Sequence, residues 1–343
     1  MSAASAPSEA SVPSAPPVRS APSVPADDIH ALTAALASGD IRCAARLITR
    51  IERVDASLVP LMQALYRHGG RAQVIGVTGP PGAGKSTLIS RLVAHWRGRG
   101  QRVAVLAVDP SSPFTGGAVL GDRVRMAEHA CDDGVFIRSM ASRDHLGGLA
   151  RAAGDALVVL EAMPWDVVLV ETVGVGQNET EIMRHASAVV LVQTPMGGDD
   201  VQAAKAGITE IGDLFVVNKA DHPQADATVR HLQDMISLAQ RLHPERSWQP
   251  PVLKTLALQG QGVSELAATI DHCFAHWAAH PDDARRRGSA RLRHRVGEVL
   301  RELLDRRLRT GSELAIDPML PALLARETDP YAAAAQLLDR LGG

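Results

Sequence analysis

The stretch VTGPPGAGKSTL, Val77 to Leu88, decides how this chain folds. It follows the apolar run QVIGV and precedes the amphipathic TLISRLVAHW, so a strand, a glycine-rich loop and a helix succeed one another. Helix breakers beside a lysine at a strand end fit G-x-x-x-x-G-K-[ST], from Gly79 to Ser86. In that pattern backbone N–H groups wrap a phosphate chain. Glycine lets the backbone come close and take positive φ, and the helix that begins near Lys85 turns its positive end toward the anion. Lys85 then reaches the β- and γ-phosphates and the Ser86 hydroxyl ligates Mg2+. The bland alternative, a glycine-rich turn, is disfavoured by the strand before, the helix after and Lys-Ser-Thr in place.

Outward from this loop, short apolar strands alternate with helices from Arg71 on: AQVIGVTG, RVAVLAVDP, GVFIRSM, WDVVLVETVG, AVVLVQTP, DLFVVNKAD and PVLKTLAL. Near-continuous Val/Leu runs suit strands buried on both faces of a parallel sheet. The alternation predicts a three-layer α/β domain with a mainly parallel sheet over residues 71–280, its ligands at the carboxyl ends of the strands. Residues 27–70 read as N-terminal helices. Asp27 or Asp28 would cap the first, which carries Ile29, Leu32 and Leu36 and ends at Gly39; Leu47, Ile48, Ile51 and Val54 mark the second, and LVPLMQALYRHGG the third. Residues 1–26, rich in Ala, Ser and Pro, read as a disordered tail.

Residues 281–343 return to helix. SARLRHRVGEVLRELLDRRLRTG sets Leu292, Val296, Val299, Leu300, Leu303 and Leu304 at helical spacing, with arginines on the remaining faces. The preferred reading of those arginines is a solvated face interleaved with Glu298, Glu302 and Asp305. A nucleic-acid arm would call for interleaved aromatics. The apolar stripe suits a partner or a second subunit.

Bulk composition narrows the function classes. The 343 residues are 45% hydrophobic and only 3% aromatic, and 36 Lys and Arg face 38 Asp and Glu, a balance that points to no nucleic acid. Cys43, Cys131 and Cys273 are isolated, without metal-ligand spacing, and read as reduced thiols of a cytoplasmic protein. No apolar run approaches membrane-spanning length, and the start lacks the apolar middle of a secretory signal.

Three further stretches carry chemistry. NKAD, Asn218 to Asp221, ends a strand; an aspartate there accepts from N1–H and the 2-amino group of guanine, which adenine lacks, so the nucleotide reads as GTP or GDP. In WDVVLVETVGVGQNE, Glu171 and Gly174 hold acid-x-x-glycine spacing, the acid toward the Mg2+ shell and the glycine N–H toward the γ-phosphate. Glu171 could instead be an ordinary strand-end acid. In VDPSSPFTGGAVLGDRVRM, Asp109 ends a strand and Asp122 follows a Pro/Gly/Ser-rich loop. Both carboxylates can reach a metal, while Asp122 is also a good helix cap. No glutamine is placed to orient water and no arginine finger stands out, so intrinsic hydrolysis should be slow without a partner.

GPPGAGKST, VDPSSPFTGGAVLGDRVRM, ETVGVGQNE and NKAD, in this order, resemble the MeaB-type GTPases, once labelled arginine/ornithine transport ATPases, which act as chaperones for adenosylcobalamin-dependent acyl-CoA mutases such as methylmalonyl-CoA mutase. The resemblance runs from about Asp27 to the closing DPYAAAAQLLDRL. It implies a phosphate loop of Gly79, Pro80, Pro81, Gly82, Ala83, Gly84, Lys85, Ser86 and Thr87. It groups Ser86, Asp109, Asp122 and Glu171 around Mg2+, with Lys85, Asp109, Asp122 and Glu171 as the catalytic set and Gly174 on the nucleotide. Asn218, Lys219 and Asp221 would hold guanine, closed over by Leu256, Ala257 and Leu258. TPMGGDDVQAAKAG matches the family's extra switch, with Asp199, Gln202 and Lys205 signalling to the mutase. The C-terminal helices would form a homodimer arm. Leu256 replaces the family's serine and PMGGDD its Pro-Gly-x-Gly-Asp, so the client could be a related isobutyryl-CoA or hydroxyacyl-CoA mutase.

Rival readings differ in chemistry. A metal-insertion GTPase of the urease or hydrogenase type would show a Cys/His cluster, whereas here the cysteines are solitary and the 13 histidines scattered. A small-molecule or protein kinase would prefer ATP, and a pure interaction module would bind nucleotide without turnover.

Overall fold

Parallel strands buried on both faces need apolar side chains at every position, and the Val/Leu runs supply them. The computed structural model describes residues 24–53, 55–109, 127–129, 131–141, 148–172, 177–195, 212–310 and 316–342. In chain order these form α1 (Ala26–Ala37), α2 (Ile41–Glu52), α3 (Val59–Tyr66), β1 (Gln73–Thr78), α4 (Lys85–Gly98), β2 (Val103–Asp109), β3 (Val135–Ala141), α5 (Gly148–Glu161), β4 (Val167–Thr172), α6 (Gln177–Met183), β5 (Ala188–Gln193), β6 (Leu214–Asn218), α7 (Ala225–Leu242), β7 (Val252–Thr255), α8 (Val263–Ala279), α9 (Pro281–Thr310), α10 (Leu320–Leu324) and α11 (Pro330–Gly342). Ser23–Leu300 is one compact unit, and Arg301–Gly343 belongs to a second.

All seven strands pair in parallel, in the order β3-β2-β4-β1-β5-β6-β7. From β1 the chain runs outward to β2 and β3, returns to β4 and crosses to β5 on the other side. The winding therefore reverses around β1, and a crevice opens beyond its carboxyl end, where α/β sheets bind ligands.

The pleat alternates side chains between the two layers. Val74, Ala104, Leu106, Val168 and Val170 face a core shared with α1–α3 and α5, while Ile75, Val77, Val103, Val105 and Leu169 face one shared with α4 and α8. A smaller cluster joins Leu191, Phe215 and Val217 to Leu232 and Ile236 of α7. The N-terminal helices thus complete one face of the sheet. Arg138 of β3 reinforces them, pairing with Glu52 at 2.6 Å and donating to Thr49 Oγ1 at 3.0 Å.

Neither Asp27 nor Asp28 caps α1. Pro25 occupies that position without a side-chain bond, and both aspartates lie in the first turn, where their charge still favours the helix dipole. Asp40 is the cap that forms, on α2, accepting from Arg42 N at 2.9 Å and Cys43 N at 3.0 Å.

Helix α9 corrects in part the reading of its arginines as a solvated face: Arg293 and Arg301 are exposed as expected, but others are not. Arg287, Arg291 and Arg295 recur every four residues and turn onto the body. Arg287 bonds the buried Asp213 at 2.7 Å, Arg291 donates to Ser187 Oγ, and Arg295 pairs with Asp155. Glu298 is buried on the same side. Leu292, Val296, Val299 and Leu300 are the exposed ones. The body presents carboxylate and hydroxyl acceptors where α9 lies, so the guanidinium face is the complementary one. Of the second unit, Asp329 starts α11, accepting from Tyr331 N at 2.8 Å and Ala332 N at 3.0 Å.

Candidate functional site

Strand β1 hands over to α4 through a loop that only glycine permits at two points. Gly79 has φ +149°, and a Cβ there would stand 2.0 Å from Val192 O of β5. Gly84 has φ +85°, and its Cβ would meet Asn218 Nδ2 at 2.4 Å. Gly79→Ala should therefore destabilise the unit by about 1–3 kcal/mol, the cost of forcing atoms into a packed site. Thermal melts should fall by roughly 2–4 °C for each kcal/mol; an unshifted melt would contradict the close approach.

Lys85 is 5% exposed. Its Nζ curls back to donate to Gly79 O at 2.8 Å and Pro80 O at 2.9 Å. Beside it, Ser86 Oγ donates to Glu171 Oε1 at 2.6 Å. Register explains the meeting: Glu171 pairs with Val77 in the ladder that joins β4 to β1, level with the start of the loop. Thr172 Oγ1 donates to Thr78 Oγ1 at 3.0 Å and ties the two strand ends. The hydroxyl, the carboxylate and the carbonyl-held ammonium form a hard-oxygen and cationic floor, the donor set that suits Mg2+ and phosphate.

The far wall is organised by Asn218 at the end of β6. Its Nδ2 donates to Ala83 O at 2.8 Å, while Oδ1 accepts from Thr255 Oγ1 and Ala257 N, both at 3.1 Å. One buried amide therefore joins the phosphate loop to the turn after β7. That turn is closed by Leu256 N donating to Gln261 O at 3.0 Å. Lys219 follows in a left-handed conformation, φ +59°.

These walls enclose a cavity of about 480 Å³, within the range of small-molecule sites. Pro81, Gly82, Gly84, Lys85, Ser86 and Thr87 line its phosphate side, Glu171 one wall, and Asn218, Lys219, Leu256, Ala257 and Leu258 the other. Gly79, Pro80 and Ala83 shape the loop from behind. Asp221 does not line the cavity; it stands exposed in the turn beyond Lys219, next to Ala220, whose N–H is held by Thr255 O at 3.1 Å. Asp109 ends β2, but its side chain lies outside the described residues, as do Asp122, Gly174, Asp199, Gln202, Lys205 and residues 1–23 of the Ala/Ser/Pro-rich start; Ala26, at the end of that expected tail, instead opens α1.

Sequence reasoning placed Asn218 on the nucleotide and missed its bonds to Ala83, Thr255 and Ala257. It also missed a partly buried group, His185, His294 and the buried Glu298, whose ligand atoms all lie within 4.8 Å of one another. The one sequence signal was the His-x-x-x-Glu spacing on α9.

Residues 44–313 match the family model described as methylmalonyl Co-A mutase-associated GTPase MeaB. The chain belongs to the MeaB family. A putative GTPase of Pyrococcus horikoshii is 42% identical over 317 residues, 92% of this chain and 99% of its own length. The mouse protein named methylmalonic aciduria type A homolog, mitochondrial, is 36% identical over 260 residues, 71% of this chain and 62% of the mouse one. The crystal structure of an LAO/AO transport system kinase is 26% identical, with TM-score 0.67, covering 93% of this chain and 99% of that one. The expected MeaB-type, three-layer α/β P-loop fold and GTP hydrolysis are thereby borne out, and this MeaB-family chain is a GTPase that binds guanine nucleotide. No helix among its described residues is long and apolar enough to cross a membrane.

Proposed function

We propose that this MeaB-family GTPase is a cytoplasmic chaperone of an adenosylcobalamin-dependent acyl-CoA mutase, gating cofactor loading, protection and reactivation through its nucleotide state. The match to a family described as mutase-associated carries this reading, and the mouse relative named for methylmalonic aciduria supports it.

The cavity supports a division of labour. Lys85 would leave the Gly79 and Pro80 carbonyls for the β- and γ-phosphate oxygens, and the loop N–H groups would surround the chain between them. Ser86 and Glu171, already in contact, would hold Mg2+ with Asp109 and Asp122. Bound there, Mg2+ supplies charge neutralisation to the phosphates. Asp221 would swing to the guanine edge, with Asn218 and Lys219 setting the strand end and Leu256, Ala257 and Leu258 covering the base through their backbone. Gly174 would sense the γ-phosphate, and Asp199, Gln202 and Lys205 would pass its presence to the client. A partner that prefers one arrangement changes nucleotide affinity by the same factor that nucleotide changes its own binding.

The exposed apolar stripe of α9, Leu292, Val296, Val299 and Leu300, supports a homodimer surface. Leu256 and PMGGDD favour a divergent client, such as an isobutyryl-CoA or hydroxyacyl-CoA mutase.

Phosphate release with and without purified mutases tests the reading. The true client should shift the apparent affinity for GTP by roughly 5–150-fold and change phosphate release measurably. Lys205→Ala should leave basal turnover within about twofold while removing most of that coupling. No response to any adenosylcobalamin-dependent mutase would discard the chaperone role; equal loss of both rates would move Lys205 into the catalytic site.

A further inference from the structure

We propose that His185, His294 and Glu298 form a binding site for one divalent transition-metal ion of the Zn2+, Co2+ or Ni2+ type. The site is separate from the oxygen-rich floor of the nucleotide cavity and does not depend on the mutase reading.

Two of the groups sit one turn apart on α9, and the third lies just past the end of α6. Glu298 Oε1 is 3.3 Å from His185 Nε2 and 3.3 Å from His294 Nε2. A tetrahedral ion bound at about 2.0–2.1 Å has ligand atoms separated by about 3.3 Å. Two edges of such a tetrahedron are therefore already set, and a small rotation of the imidazoles closes the third. The rings are tilted 59° with centroids 5.6 Å apart, so both nitrogens can face a shared point without stacking.

His294 Nε2 is shielded from solvent and has no hydrogen-bond partner among the described residues. Its 3.3 Å approach to Glu298 Oε1 is an ion-pair contact that does not form a hydrogen bond, and an ion ligated there would satisfy the shielded nitrogen.

The surroundings resemble an outer coordination shell. Arg295 Nη1 approaches Glu298 Oε2 at 3.3 Å and also pairs with Asp155. His185 Nε2 also lies 3.2 Å from that Oε2, so the guanidinium shares one carboxylate oxygen with His185, while Oε1 faces both imidazoles; such a contact orients a ligand. An ion pair without metal is the competing description, and it would set two imidazoles and a guanidinium around a single carboxylate. Imidazole with carboxylate selects Zn2+, Co2+ or Ni2+ over Mg2+ or Ca2+. Three protein ligands leave the fourth position to water. The ion would fasten the segment after α6, which follows the strand carrying Glu171, to α9.

The test uses the untagged full-length chain, stripped with chelator and saturated with GDP and Mg2+ so that the nucleotide site is filled. Co2+ is titrated with visible absorption as readout, and Zn2+ by calorimetry and by displacement of the Co2+ spectrum. The expected result is one equivalent with intense tetrahedral cobalt bands, and a melting temperature that rises with metal. His185→Ala and His294→Ala should each weaken binding by about 100-fold or more, beyond the effect of losing an outer-shell group. Glu298→Gln keeps the shape and serves if an alanine variant does not fold; it should lose the bands while remaining cooperatively folded. His276→Ala/His280→Ala removes the imidazole pair stacked 4.0 Å apart at the end of α8 and should change nothing. Absence of a stoichiometric metal, or binding lost only with His276 and His280, would overturn the site and leave an ion-pair network alone.

Discussion

Lys85→Ala should lower GTP turnover by about 10²–10³-fold or more, the usual consequence of removing a preorganised donor aimed at developing charge. Lys85 Nζ already lies inside the loop, 2.8 Å from Gly79 O and 2.9 Å from Pro80 O. The ammonium is thus prepositioned and needs only to exchange carbonyl oxygens for phosphate oxygens. Among the described lining residues the other cation is Lys219, on the opposite wall, so Lys85 is the one that stands in the phosphate loop. GTP affinity should weaken along with turnover, since the β-phosphate loses the same counter-charge. The two carbonyls left behind can turn to water in the open cavity, so the fold should persist. Phosphate release under saturating GTP, with nucleotide binding and a thermal melt on the same preparation, separates these effects. Unchanged kinetics in a folded variant would remove Lys85 from the phosphate site.

Asp221→Asn should erase most of the discrimination between guanine and adenine, which a site built to receive two donors can raise to about 10⁴-fold. In the proposed role the carboxylate would accept from both N1–H and the 2-amino group; the amide would keep one acceptor and present a donor to the other. Xanthine, with a carbonyl at C2, matches that amide, so XTP should gain where GTP loses. The turn geometry makes this a demanding test. Asp221 is exposed and outside the cavity lining, while Asn218, three residues earlier, lines it. To read the base, the side chain would have to close onto its edge when nucleotide enters. Competition of GTP, ATP and XTP for the variant checks the assignment. Retained guanine selectivity would leave Asp221 a surface turn and pass the specificity to the backbone of Leu256–Leu258.

The phosphate half of the site was legible because its chemistry is contiguous. Ser86 and Lys85 sit where the strand, loop and helix order put them, and the ladder register of β4 brings Glu171 alongside. The strands were legible for a similar reason, as apolar runs too short for helices and too continuous for a half-exposed sheet. Contacts made across the fold left little trace. Asn218 was visible as part of a base-reading motif, yet its bonds to Ala83 and Ala257 depend on how two loops converge. His185 and Glu298 are 113 residues apart, and no spacing rule links them. Helix α9 misled at its arginines, because charged positions on a helix ordinarily mark the solvated face. Here Asp213, Ser187 and Asp155 wait on the body and select the arginines instead.

That inversion gives α9 two sides with opposite responses to the medium. Arg287 remains 39% exposed against a buried Asp213, so added electrolyte screens this attachment in part. Strongly hydrated anions such as sulfate have the reverse influence on Leu292, Val296 and Leu300, driving them out of water. A single helix thus loosens its grip on its own body under the conditions that make its outer side most adhesive, and ionic composition sets which of the two attachments dominates.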